Sequence, residues 1–156
     1  MPDRVTLREI FDEDLKDVYY FLSSNFDPEL NLDIWRSAFS RSWMSEKPNN
    51  GFMLKESGTI VGVFCALYSQ RLTQKGMQYV CNTSTWYVLD AYRSHSLKLM
   101  AAMLGQKGFL FTSLSASPNV HKLHRQFKFR SYVTTIVAIP NLPKLNYFSK
   151  RMEILD

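Results

Sequence analysis

Cysteine is scarce in this chain. Its 156 residues hold only Cys65 and Cys81, both in apolar, strand-like runs. They read as buried thiols of a reducing compartment rather than as a disulfide framework. No Cys-x-x-Cys or histidine-rich spacing occurs, so no metal site is expected. The longest apolar run, residues 60–68, falls far short of the roughly 20 residues of a membrane span. No membrane partner is therefore expected. The first residues, MPDRVTLREIFDED, lack an apolar leader core, and the expected location is cytoplasmic. Internal repeats, low-complexity segments and an interdomain linker are missing too. Aspartate and glutamate are absent from residues 77–89.

What is present is a chain for packing. Hydrophobic residues make up 46% and aromatics 14%, which argues against disorder. The length suits one domain over residues 1–156. A chain of this size buries about 68–70% of its unfolded surface and needs no covalent staple. The net charge of +5 favours anionic partners: nucleic acid, a membrane surface or a phosphorylated cofactor. A plain solvated basic surface fits the same charge.

The stretch around which the chain is organised is NTSTWYVLDAYRSHSLKLMAAM, residues 82–103. Thr83, Thr85, Trp86, Tyr87 and Val88 suit a pleated strand. Residues 90–96 form a polar break holding Arg93 and His95. Leu97, Met100, Ala101 and Leu104 then fall at the i, i+3, i+4, i+7 spacing of a helix. A strand feeding a helix through a short basic loop brings free backbone N–H groups to the positive end of the helix dipole, a seat for phosphate.

Before this stretch, residues 5–8 read as an edge strand, and Asp12 and Asp14 as first-turn acids of a helix with Leu15, Val18, Tyr19 and Leu22 inward. A loop over 25–31 precedes a second helix, with Trp35, Ala38, Phe39 and Ser42 on one face. Turn chemistry at 47–51 leads to a strand over 52–56 and a hairpin turn at Ser57-Gly58. Residues 59–69, almost all apolar, read as a central strand covered on both faces. A polar connection over 70–76 carries Arg71 and Lys75. The strand over 77–88 is too long to stay regular and is expected to carry a bulge.

After the stretch, Gly105 and Gly108 bracket the helix end. A strand over 109–116 is followed by Ser117-Pro118, a helix start. Val120, Leu123, His124 and Phe127 form the last stripe, and a strand over 129–139 closes the pattern. The tail, with 146–154 as an added strand, is open. The expected class is α/β, with a mixed, mostly antiparallel central sheet flanked by helices.

The central stretch resembles the GNAT superfamily of acyl-CoA-dependent acyltransferases. The resemblance lies in Trp86-Tyr87-Val88-Leu89-Asp90-Ala91-Tyr92-Arg93, which is similar to that family's strand ending in Val, short turn and Tyr-Arg. The element order over residues 5–138 is similar as well, as is Leu123 to Phe129, LHRQFKF, at the late helix. Four positions depart. The family's two small loop residues are Ser96 and Lys98 here, its late-helix Tyr is His124, and its Gly before Phe is Lys128.

The resemblance implies one GNAT-like domain using acetyl-CoA or another acyl-CoA as donor, a small-molecule amine as acceptor, and no metal. It implies that backbone groups near Trp86 and Val88 meet the pantetheine arm. Arg93, Ser94, His95, Ser96, Leu97 and Lys98 would cradle pyrophosphate, with Asn119 near the late-helix start. His124 would be the acid for the leaving sulfur; a core histidine is the competing reading. Asn82, Thr83, Ser84 and Thr85 would position a water or the acceptor in place of a strand carboxylate. A non-catalytic CoA-binding module is the second reading, and a nucleic-acid binder ranks last, without a recognition motif. Residues 140–156 are a candidate edge strand, tail or homodimer contact.

Overall fold

Among the described residues five strands lie in one sheet in the order of the chain, β1 (Val5–Glu9), β2 (Gly51–Glu56), β3 (Thr59–Thr73), β4 (Gly76–Val88) and β5 (Phe109–Ser113). The first four pair antiparallel, and β5 lies parallel to β4. The computed structural model describes residues 5–40, 43–44, 46–114 and 116–132. Contacts divide the chain into two compact units, Met1–Ser117 and Pro118–Asp156. The first holds the whole sheet with α1 (Leu15–Asn25), α2 (Leu32–Ser40) and α3 (Ser96–Leu104). Within the second, α4 (Pro118–Gln126) opens on its proline, as Ser-Pro predicts.

The two faces of the sheet bury separate cores. Ile60, Val63 and Cys65 pack with Leu15, Val18, Phe21, Leu22, Trp35 and Phe39 of α1 and α2. On the other face Val61, Phe64, Ala66, Tyr68, Cys81 and Val88 pack with Leu99, Met100 and Met103 of α3. This is why residues 60–68 read as unbroken apolar sequence: neighbours point to opposite faces and both faces are covered. Each fully buried Leu or Met contributes about 1.5–3 kcal/mol. The thiols of Cys65 and Cys81 are buried and free. Burial pushes both up to about 12, so neither forms a thiolate readily.

The β3–β4 hairpin is longer than expected. Of residues 70–76, read as a connection, only Gln74 and Lys75 form the turn; the others continue the ladder, with Arg71 opposite Gln78 and Thr73 opposite Gly76. Polar side chains suit a strand whose two faces extend beyond the core, so composition hides the pairing. The strand expected over 129–139 is not a strand at residues 129–132. The rest of it, Ser42, and the tail with its homodimer contact lie outside the described residues.

The turn at 47–51 is a polar knot in which Asn49 and Asn50 are buried. Lys47 Nζ donates to Asp12 Oδ1 and to Asn50 Oδ1, both at 2.8 Å. The Lys47 hydrogen bond holds the Asp12 carboxyl below its ordinary range. Buried Asn49 accepts at Oδ1 from Gly51 N–H (2.9 Å) and Tyr68 Oη (2.7 Å). Gly51 has φ +113, and a Cβ there would sit 2.1 Å from Phe64 O; at Gly58, with φ +87, a Cβ would meet no atom within 4 Å. Gly51→Ala should therefore cost about 3 kcal/mol or more and Gly58→Ala about 1 kcal/mol. Urea unfolding of both variants checks this; equal losses would mean that backbone conformation, not the close approach, governs Gly51.

Candidate functional site

The candidate site starts where β4 and β5 part. Their parallel pairing runs from Tyr79 opposite Phe109 to Thr83 opposite Ser113. Among the described residues no strand pairs with Ser84 to Val88 on that side. Two side-chain contacts fasten the vertex. Thr83 Oγ1 donates to Thr112 O (3.1 Å), and Thr112 Oγ1 donates to Asn82 Oδ1 (3.2 Å). Asn82 and Thr83, candidate positioning groups in the sequence, thus hold the two strands together at the fork.

β4 carries one residue more than its partner here. Phe64 faces Trp86, but Ala66 faces Thr83, so the extra residue falls at Ser84–Thr85. The expected bulge lies at the fork. It changes the parity of the strand, so that Cys81 below it and both Trp86 and Val88 above it face the α3 core.

Beyond the bulge the backbone orientation follows from one bond. Leu89 N–H donates to Val61 O at 3.0 Å. Bonding groups in an antiparallel ladder alternate from side to side. Tyr87 and Leu89 therefore turn their N–H and C=O towards β3, and Trp86 and Val88 turn theirs to the side where β5 has ended. These groups are the ones an extended ligand arm with amide groups can pair with.

Side chains complete the edge. Trp86 stacks on Phe64, with centroids 4.8 Å apart. Its Nε1 is buried without a hydrogen-bond partner, at a cost of about 1–3 kcal/mol. On the opposite face the Tyr87 ring lies 5.9 Å from Phe21 and 5.5 Å from Phe26, which is 55% exposed. Sequence reasoning missed the orphan indole and the Phe26–Tyr87 pair, because both depend on neighbours remote in the chain. A groove of about 970 Å³ lies elsewhere, lined by Asp12, Lys16, Tyr20, Asp33 and Arg36 of the α1–α2 side. None of its lining residues belongs to β4 or β5.

Residues 90–96 differ from the expected open loop. A 3-10 helix over Asp90–His95 runs straight into α3. Tyr92 N–H donates to Leu89 O (2.8 Å) and Ser96 N–H to Arg93 O. The i to i−3 bonding of such a run consumes N–H groups that the sequence reading left free. Without glycine at Ser96 and Lys98, the chain keeps to right-handed helical angles, with φ −58 at Ser96. Arg93 pairs with Asp90 at 2.8 Å. Ser94, Leu97 and Lys98 are exposed, and His95 and Ser96 half-buried.

In the second unit Asn119 is exposed and His124 is buried. His124 stacks on Phe129 at 4.5 Å. Burial, with a smaller contribution from His121, lowers its pKa below the ordinary 6.5. The ring is therefore neutral near pH 7, better suited to accept a proton than to give one. Phe129 N–H donates to His124 O and Lys128 N–H to Arg125 O, both at 3.1 Å. These bonds form a Schellman cap with Lys128 in the left-handed position, φ +63. A lysine thus stands here in a conformation that favours glycine.

No protein-family profile and no curated relative matches the chain. Solved structures do. An acetyltransferase of Trypanosoma brucei is 18% identical, with a TM-score of 0.59 over 87% of this chain and 99% of that one. The aminoglycoside N-acetyltransferase AAC(6')-Iy in complex with CoA is 14% identical, with a TM-score of 0.59 over 91% of this chain and 99% of that one. A transcriptional regulator of Bacillus halodurans is 16% identical, with a TM-score of 0.60 over 86% and 99%. At such identities the likeness is one of fold, and the fold is that of the GNAT acetyltransferases. Among the described residues no helix is long and apolar enough to cross a membrane, and no cluster of three or more His, Cys, Asp or Glu is placed to hold a metal.

Lys128→Gly should stabilise the cap by about 0.5–1 kcal/mol, because glycine takes positive φ without a Cβ penalty. Denaturant unfolding measures this; a loss of stability would mean that the lysine side chain contributes more than its backbone costs.

Proposed function

We propose that this protein is an acyl-CoA-dependent acyltransferase, an N-acetyltransferase that moves an acetyl group from acetyl-CoA to the amine of a small-molecule acceptor. The observation that carries the proposal is the open edge of β4, with Trp86 and Val88 turning backbone groups to the side where β5 has ended. It occurs in a fold shared with acetyltransferases, one of them in complex with CoA.

In the reaction the amine nitrogen attacks the thioester carbonyl carbon. The C–N bond forms, the C–S bond breaks, and the amine proton must leave. The chain would hold the donor's arm against Trp86 and Val88. Arg93, Ser94, His95, Ser96, Leu97, Lys98 and Asn119 are proposed for the phosphate-bearing end, on the resemblance. His124 is proposed as the proton-transfer group at the leaving sulfur. Its lowered pKa gives a neutral ring near neutrality, a weak acid that still offers a ring N–H as a hydrogen-bond donor. The sheet edge has no carboxylate between Met77 and Leu89. The proposed route for the amine proton is a water relay to a base, or an acceptor amine of low pKa that gives up its proton to water.

The second reading, a CoA-binding module without turnover, draws on the same missing carboxylate and on the closed helical run at 90–96. Release of free CoA from acetyl-CoA across a panel of amines separates the two. The expected outcome is enzyme-dependent release with at least one amine. His124→Phe should lower kcat about a hundredfold, the lower range for a positioned proton-transfer group, with acetyl-CoA affinity unchanged. Acetyl-CoA binding without release would establish the module; an unchanged kcat in the variant would remove His124 from the mechanism.

A further inference from the structure

We infer that the donor is recognised by its thioester-bearing arm and hardly by its phosphates. This chain then takes pantetheine thioesters as a class, whether the arm is carried by CoA or by a carrier protein. The inference rests on the proposed function and restricts it: the arm contacts at Trp86 and Val88 are kept, and the phosphate contacts proposed on the resemblance for residues 93–98 are set aside.

The half that fits is the arm. An extended chain with two amides needs an unpaired strand edge, and Trp86 and Val88 supply one beyond the fork. The half that does not fit is the pyrophosphate. A backbone nest gathers successive N–H groups by alternating right- and left-handed residues. Residues 90–98 contain no glycine. Among the described non-glycine residues only Ser57 and Lys128 take positive φ. The N–H groups of Tyr92 and Ser96 are already bonded to Leu89 O and Arg93 O.

One charge at the start of the run adds to this. The helical run begins with Asp90, so a carboxylate of the chain's own already sits at the positive end of the dipole. That carboxylate holds the Arg93 guanidinium at 2.8 Å. A pyrophosphate at the start of this run would meet the like charge of Asp90.

The test compares dissociation constants of the full chain for acetyl-CoA, S-acetylpantetheine and an acetylated carrier protein bearing phosphopantetheine. S-acetylpantetheine should bind within about tenfold of acetyl-CoA, a difference no larger than exposed charges produce. Asp90→Asn should tighten acetyl-CoA about two- to fivefold and leave S-acetylpantetheine unchanged. Carrier-protein affinity at or above that of S-acetylpantetheine marks a protein-borne arm as a donor. Weaker binding of the carrier protein, with the small thioesters held as expected, would overturn the extension to a protein-borne arm and leave only free thioesters as donors. A loss of about a thousandfold or more on removing the nucleotide would overturn the inference and leave the acyltransferase reading standing. So would an Asp90→Asn variant whose acetyl-CoA affinity does not rise. Absence of binding by all three donors would remove the acyltransferase reading and the inference together.

Discussion

One residue more in β4 than in β3 sets the geometry on which the edge depends. The extra residue at Ser84–Thr85 reverses the parity of the strand. Trp86 and Val88 stay on the α3 side with Cys81, and Tyr87 meets Phe21 and Phe26 on the other. With a regular ladder those assignments would exchange, placing an indole among the α1–α2 aromatics and a tyrosine hydroxyl in the α3 core. The bulge lies beside the point where β5 leaves, and the Asn82, Thr83 and Thr112 contacts hold that point closed below and open above. Position and opening are thus produced by the same few residues.

The rest of the first unit keeps this edge in place. Lys47, Asp12, Asn49, Asn50 and Tyr68 tie the segment before β2 to the start of α1 and to β3. Gly51 lets the β2 backbone approach β3 more closely than any side chain permits. Such a network fixes one arrangement because each buried amide and hydroxyl would be costly without its partner. Where partners are missing among the described residues, along the upper β4 edge, the fold leaves hydrogen-bonding capacity for another molecule.

Much of the architecture was legible because its causes are local or periodic. The Ser57-Gly58 turn, the Ser117-Pro118 helix start and the apolar alternation of residues 60–68 each carry their physical reason within a few residues. The length of 77–88 alone implied the bulge. The hairpin beyond Ser69 was not legible, because Gln70 to Thr73 pair through backbone that polar side chains do not announce. The polar break at 90–96 gave a helical run instead of an open loop, since residues without glycine there keep right-handed angles. Of the candidate site, the strand end could be read; Phe26, the indole N–H and the Asp90–Arg93 pair required the folded chain.

The central claim is that the upper edge of β4 is a binding edge. Mapping backbone amide chemical shifts on adding S-acetylpantetheine tests it most directly. The account predicts the largest changes at Trp86 and Val88 and at the fork near Thr112 and Ser113, with small changes over residues 90–98. Changes confined to 90–98, or confined to the α1–α2 groove, would contradict it.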